Sequence, residues 1–290
     1  MLCATTHDFF PWQCLPLLHC RPLCEEEVGE RRPLLNIARN TRLFENSAMG
    51  IELGHISAIF RYPIKSMAGE RLDSAKIGWH GVEGDRRLAF RRLAERGAFP
   101  WLTASRLPEL LLYEPIGRQD TTGEPLPTHI RTPDGKEYSL SDEALLKEIA
   151  TRHRADVELM QFRHGIFDEA GVSAITLGTI RSIAREAGHD ADVRRFRPNL
   201  VIDTKGAQPF EEDRWVGKIL EFGSEETGPA ISVTMRDKRC VMINLDPDTA
   251  EANAEVMKTV IRMNENHAGV YGTVVRTGEL RVGQVVGLRA

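Results

Sequence analysis

The strongest constraint in this chain is how often its apolar segments are cut short. Ile51 to Arg61 alternates apolar positions at Ile51 and Leu53, then Ile56, Ala58 and Phe60, and ends at Pro63. Leu72 to Ile77 and Arg87 to Arg91 are further short segments, separated by Gly78, Gly81 and Gly84. Period-two runs bounded by turn residues predict strands. Thr128 to Arg131, the turn Thr132-Pro133-Asp134-Gly135 and Glu137 to Leu140 predict a hairpin. Later strands are expected over 199–203, 218–222, 231–235 and 241–245, with a terminal hairpin of Tyr271 to Arg276, the turn Thr277-Gly278, and Leu280 to Leu288.

Helical periodicity is rarer. Ser141-Asp142-Glu143 opens one helix that runs to about Thr151. Thr176 caps another, with Leu177, Ile180, Ile183, Ala184 and Ala187 on one face before Gly188. A third runs from about Ala252 to Met263. Strands and helices do not alternate as a doubly wound sheet requires, and no GxGxxG or GxxxxGK[ST] phosphate loop occurs. The expected class is α+β and β-rich, a barrel flanked by helices.

Charge and cysteine usage narrow the function classes. The 38 Lys and Arg against 42 Asp and Glu give a net charge of −4, so a global basic footprint for nucleic acid is absent. No run approaches the ~18 apolar residues of a membrane helix, so no membrane span is expected. Four of the five cysteines, Cys3, Cys14, Cys20 and Cys24, crowd the first 24 residues, and Cys240 alone lies in the body. That pattern fits a reducing, cytoplasmic compartment. Residues 1–48, broken by Pro11, Pro16, Pro22 and Pro33, read as a poorly ordered tail or a start-site artefact ahead of Met49. The body is expected to divide into residues 49–152 and 153–290.

Three basic elements stand at strand or loop edges: Lys65-Ser66, Asp85-Arg86-Arg87 and Arg194-Arg195-Phe196-Arg197-Pro198-Asn199. Arginine binds phosphate bidentately, so together they suggest one anionic ligand, against the plainer reading of solvated charged edges. The helix start at Thr176, with Gly178 and Thr179, would also suit an anion, although capping alone accounts for Thr176. Cys240 follows Arg236-Asp237-Lys238-Arg239; nearby positive charge favours a thiolate, which is a soft metal ligand and a nucleophile. A buried structural thiol is the bland alternative.

Taken in order, these runs resemble the MOSC family with its usual N-terminal β-barrel partner. The resembling residues are Tyr62-Pro63-Ile64-Lys65-Ser66, Gly81-Val82-Glu83-Gly84-Asp85-Arg86-Arg87 and Arg195-Phe196-Arg197-Pro198-Asn199. Glu212-Asp213-Arg214-Trp215, Arg239-Cys240, Leu245-Asp246-Pro247-Asp248-Thr249 and Leu280-Arg281-Val282-Gly283-Gln284 follow. The resemblance implies a MOSC-type β-barrel with flanking helices over 153–290 and an N-terminal β-barrel-like domain over 49–152. It implies a molybdenum cofactor whose metal is ligated by Cys240 and whose pterin is held by Lys65, Ser66, Arg86, Thr176, Thr179, Arg197, Asn199 and Arg239. Many members carry a second cysteine where this chain has Asp237.

The activity implied is reduction of small N-hydroxylated substrates, such as N-hydroxylated bases or amidoximes. Electrons would come from a separate flavin, haem or iron–sulfur protein. The chain has no four-cysteine spacing for an iron–sulfur cluster of its own. Pyridoxal phosphate is sometimes associated with the family, but no lysine can be singled out here as a Schiff base. The alternatives are a cofactor carrier or sulfur-transfer module using Cys240, or a degenerate module without a ligand.

Overall fold

The fold is that of a computed structural model, which describes residues 50–117, 119–120, 125–224 and 227–290. The tail expected over 1–48, with its four cysteines, lies outside the described residues. The described residues from Gly50 onward form a single compact unit.

Seven strands build the frame: β1 (Ile51–Arg61), β2 (Val172–Thr176), β3 (Leu200–Thr204), β4 (Ile219–Phe222), β5 (Ala230–Lys238), β6 (His267–Arg276) and β7 (Val285–Arg289). The sheet order is β3-β2-β6-β5-β4-β7-β1, and β1 pairs back onto β3, so the sheet closes into a barrel without a free edge. Closure follows from β1, whose eleven residues bend at two register shifts and serve both β7 and β3. Inward and outward positions alternate along the strands, with the alternation shifted at the bulge between Ile56 and Ala58. Ile56, Ile59, Val172, Leu200, Ile202, Phe222, Val233, Val270 and Val286 fill the interior. Each such side chain stabilises the fold by about 1.5–3 kcal/mol.

Three helices lie outside the barrel: α1 (Glu143–His153), α2 (Leu177–Ala187) and α3 (Ala254–Asn264). Strand β2, α2 and β3 form a parallel crossover, the one such unit among the described strands of the barrel. Ile180 and Ile183 of α2 and Val256 and Val260 of α3, spaced three and four apart, pack with Phe60, Ile175 and Val201 on the outer face of the barrel. Leu145 and Ile149 of α1 join a third core with Ile64, Phe90, Leu102, Leu110, Tyr113 and Val157.

The expected β-rich α+β class and all three helices are present, each with a side-chain N-cap: Asp142, Thr176 and Asn253. Two local expectations fail. Residues 241–244 form a 3-10 turn rather than a strand, because Cys240 to Asn244 turns away from β5 to pack Ile243 against α3. The terminal hairpin does not form either. Gly278–Arg281 pairs with Ser74–Gly78 and β7 pairs with β1 and β4, so distant strands outcompete the neighbour across Thr277-Gly278.

Candidate functional site: a cationic cavity around Cys240

One cavity of about 300 Å3 forms where the loop following β1, the turn carrying Arg86, the loops preceding β2 and β3, the end of β5 with the turn after it, and β6 converge. They bring Lys65, Ser66, Arg86, Asp168, Arg197, Asp237, Arg239 and Cys240 to its walls, with Phe99, Met242 and Tyr271.

The backbone is built for this convergence. Pro63 ends β1, and the Tyr62 N–H donates to Asp85 Oδ1 at 2.7 Å while the Arg86 N–H donates to the Tyr62 carbonyl at 2.7 Å. The two loops carrying Lys65-Ser66 and Arg86 are thereby tied together. Gly81 lets the second loop approach the segment between Asp168 and β2, since a Cβ there would sit 2.2 Å from the Gly171 carbonyl oxygen. Ser66, Arg86 and Arg197 all adopt left-handed backbone, with φ of 67°, 50° and 49°. Such conformations cost non-glycine residues about 1 kcal/mol or more and gather where geometry is imposed by function.

The side chains are held apart by specific partners. Lys65 Nζ pairs with Asp168 at 2.7 Å, a residue 103 positions away. Arg86 pairs with the buried Asp85 and donates to the Arg197 carbonyl at 3.0 Å. Arg239 pairs with Asp237 and donates to the Phe196 carbonyl. Arg197 donates to the Met67 carbonyl at 2.7 Å and stacks 4.2 Å over the Tyr62 ring, but makes no ion pair among the described residues. Cys240 is free and exposed.

Charge is not balanced here. Six cations, Lys65, Arg86, Arg195, Arg197, Lys238 and Arg239, line the cavity with three carboxylates, Asp168, Glu169 and Asp237; Asp85 and Asp246 behind the wall pair with Arg86 and Arg195, so that Arg197 and Lys238 are the lining cations without an ion pair among the described residues. Burial pulls the Lys65 ammonium below its usual value even though Asp168 opposes it. Burial also pulls Arg197 down to about 10. The Asp168 carboxyl, which burial alone would raise, is held low by Lys65, Arg86 and Arg197. Asp237 is pushed up to about 6, because burial outweighs Arg239.

Of the sequence-predicted residues, Lys65, Ser66, Arg86, Arg197, Arg239 and Cys240 meet at this cavity. Thr176, Thr179 and Asn199 are not among its lining residues. Thr176 and Thr179 are fully buried, and both hydroxyls donate to Glu212 Oε2 at 2.9 Å. The start of α2 therefore faces the chain's own carboxylate, and Gly178 packs against the Ala207 carbonyl. Asn199 ties strands together: its Oδ1 accepts from the Ser173 N–H at 3.1 Å and its Nδ2 donates to the Phe60 carbonyl at 3.3 Å. Sequence reading missed Asp168, Phe99 and Tyr271, which no local pattern links to Lys65 or Cys240.

Among the described residues no three or more His, Cys, Asp or Glu side chains are grouped to hold a metal ion, and no helix is long and apolar enough to cross a membrane. The MOSC domain family matches residues 134–287, and the MOSC N-terminal beta barrel domain matches residues 53–170. The chain belongs to the MOSC family. Proteins named molybdenum cofactor sulfurase are similar to it. One from Drosophila mojavensis is 25% identical over 255 residues, covering 72% of this chain and 30% of that protein. One from Drosophila grimshawi is 31% identical over 130 residues, covering 44% of this chain and 15% of the other. One from Botryotinia fuckeliana is 30% identical over 112 residues, covering 36% and 13%. This MOSC chain thus spans less than a third of the length of these relatives. In three dimensions it aligns with the YUAD protein from Bacillus subtilis at TM-score 0.45 and 13% identity, covering 82% of this chain and 96% of that one. A hypothetical protein aligns at TM-score 0.39 and 11% identity, covering 82% and 69%.

Proposed function

We propose that this MOSC protein binds the molybdenum cofactor in the Cys240 cavity and reduces small N-hydroxylated substrates with electrons from a separate donor protein in the cytoplasm. The observation that carries the reading is an exposed thiol set among six cations and three carboxylates in one cavity. The donor set suits that group. Its pterin carries a phosphate, and the buried Nε atoms of Arg195 and Arg239 have no hydrogen-bond partner. Among the described residues no cage of protein ligands surrounds the thiol, which suits a metal that arrives with sulfur ligands of its own.

When bound, the cofactor supplies two-electron abstraction of an oxygen atom. The chain supplies the rest. Cys240 contributes a soft thiolate ligand. Lys65, Arg86, Arg197 and Arg239 hold the anionic pterin, with Asp85 and Asp237 fixing two of the guanidinium planes. Converting N–OH to N–H and water takes two electrons and two protons. The Asp237 carboxyl, pushed up to about 6, holds and releases a proton at the cavity wall near neutral pH. Under this reading residues 49–152 form the N-terminal domain that brings Lys65, Ser66 and Arg86, and residues 153–290 form the domain that brings Arg197, Asp237 and Cys240.

The test is reduction of N-hydroxylaminopurine by molybdenum-loaded protein with a reduced dye as donor. Turnover supports the reading; no turnover with metal present contradicts it. The exposure of Cys240 also favours a second reading, a sulfur-transfer module with a persulfide on that thiol. Cyanide-labile sulfur lost in Cys240→Ser, without N-reduction, would select it.

A further inference from the structure

The Cys240 thiol is exposed and makes no capping bond to the 3-10 turn Val241–Asn244 that follows it. Its direction is therefore set by the peptides on either side. After it, the Ile243 N–H donates to the Cys240 carbonyl at 3.3 Å. Before it stands Arg239, just past the end of β5, where the last ladder pair is Lys238 opposite His267. The next two residues to meet, Arg239 and Asn266, are bonded in an unusual way. A hydrogen-bonded antiparallel pair exchanges two backbone N–H···O bonds. The Arg239 N–H gives the first, to the Asn266 carbonyl at 2.9 Å. The return bond does not come from the backbone, because Asn266 is left-handed, with φ of 69°, and its N–H turns back to the Val260 carbonyl of α3 at 3.4 Å. The side chain takes its place: Asn266 Nδ2 donates to the Arg239 carbonyl at 3.0 Å. That carbonyl belongs to the peptide that enters Cys240. Stability alone does not call for this asparagine. Its Oδ1 is buried without a partner, which costs stability, and glycine meets a left-handed backbone more easily.

We propose that Asn266 is a positioning residue for Cys240: its side-chain amide completes the β5–β6 ladder at Arg239, fixes the peptide entering Cys240 and so aims the thiol into the cationic cavity rather than into solvent. The inference rests on the reading of Cys240 as the working thiol of the site, and it holds equally for a metal ligand and for a persulfide carrier. The Arg239 side chain reinforces the same geometry from the cavity side, paired with Asp237 and bonded to the Phe196 carbonyl. Neighbouring Asn264 serves a different purpose. Its amide donates to Asp213 at 2.9 Å and to the His267 carbonyl at 3.1 Å, with no bond to Arg239 among the described residues. It ties α3 to the barrel without touching the peptide ahead of the thiol.

The test reads the surroundings of the thiol. Full-length protein made in cells without the cofactor is alkylated with anionic iodoacetate or with neutral iodoacetamide. The rate at Cys240 is followed by mass spectrometry of its own peptide, apart from the cysteines at the start of the chain. The quantity compared is the iodoacetate rate divided by the iodoacetamide rate. A thiol held among cations attracts the anion, so the wild-type ratio should exceed that of the same residue in urea-unfolded protein by about tenfold. Asn266→Gly keeps the left-handed backbone and loses only the amide, so its ratio should fall by about threefold or more at an unchanged melting temperature. Asn266→Ser, too short to reach the Arg239 carbonyl, should fall likewise. Asn264→Ala should leave the ratio as it is, however far it lowers the melting temperature. The proposal is overturned by a wild-type ratio no higher than the unfolded one, by an unchanged ratio in both Asn266 variants, or by an equal fall in Asn264→Ala. No metal enters the measurement, so molybdenum missing from the wild type would contradict the cofactor reading alone.

Discussion

Two polar clusters in this chain look alike in sequence and differ in kind. The start of α2 offers Thr176, Gly178 and Thr179; the cavity loops offer Lys65, Arg86, Arg197 and Arg239. Both read as anion sites. At the helix, the anion is part of the chain: Glu212 accepts from both threonine hydroxyls at 2.9 Å and is itself fully buried. At the cavity, Lys65, Arg86, Arg195 and Arg239 each have a carboxylate partner, whereas Arg197 is left with a single carbonyl and an aromatic face. The comparison teaches that residue type marks a potential anion site, and that the remaining charge balance decides whether it is structural or open to a ligand.

The helix cluster should break most severely. Glu212→Ala strips two buried hydroxyls and a helix start of their acceptor and should cost about 3 kcal/mol in denaturant unfolding. Glu212→Gln, which keeps one oxygen, should cost clearly less; equal losses would contradict the account. At the cavity the effect depends on pH. The folded Asp237 carboxyl titrates at about 6 against an ordinary 3.8, so the native state binds the proton more tightly than the unfolded chain. That contribution is complete at acid pH and lost as pH rises through the window between the two values. Wild type should therefore lose up to about 3 kcal/mol relative to Asp237→Asn between about pH 4 and pH 7. A pH-independent difference would sink the assignment.

Arg197 sharpens the contrast further. Burial without a counter-charge pulls it down to about 10, so its charge disfavours folding at neutral pH. Arg197→Met should change stability by no more than about 1 kcal/mol, while lowering molybdenum content at least tenfold. A loss comparable with Glu212→Ala would make Arg197 structural. As the smallest effect, Lys205→Gln breaks an exposed pair with Glu52 and should shift stability by less than about 0.5 kcal/mol.

Local signals carried far in this chain. The Thr176 cap stands where the sequence puts it, the first helix opens within Ser141-Asp142-Glu143, and the hairpin of 129–131 with 137–139 forms as its turn residues require. What local patterns could not show is partnership at a distance. Strand β1 pairs with β3 some 140 residues on, with Ile59 opposite Leu200. The same limit hid Asp168, whose only mark is its position opposite Lys65 once the loops are folded. It also hid Glu212, quoted in the resembling run but without a role, because its role is visible only when it lies beneath α2. Cys240, by contrast, is marked by the basic run before it, of which Lys238 and Arg239 line the same cavity in the fold.

The central claim is that Cys240 is the protein's ligand to molybdenum in a cavity left cationic for its cofactor. Its most direct test is molybdenum content by mass spectrometry of wild type and Cys240→Ser, expressed and purified side by side in cofactor-producing cells. Cys240 is exposed, so the variant should fold normally. The account predicts near-stoichiometric metal in the wild type and a loss of at least tenfold in the variant. Equal molybdenum in the two would contradict it.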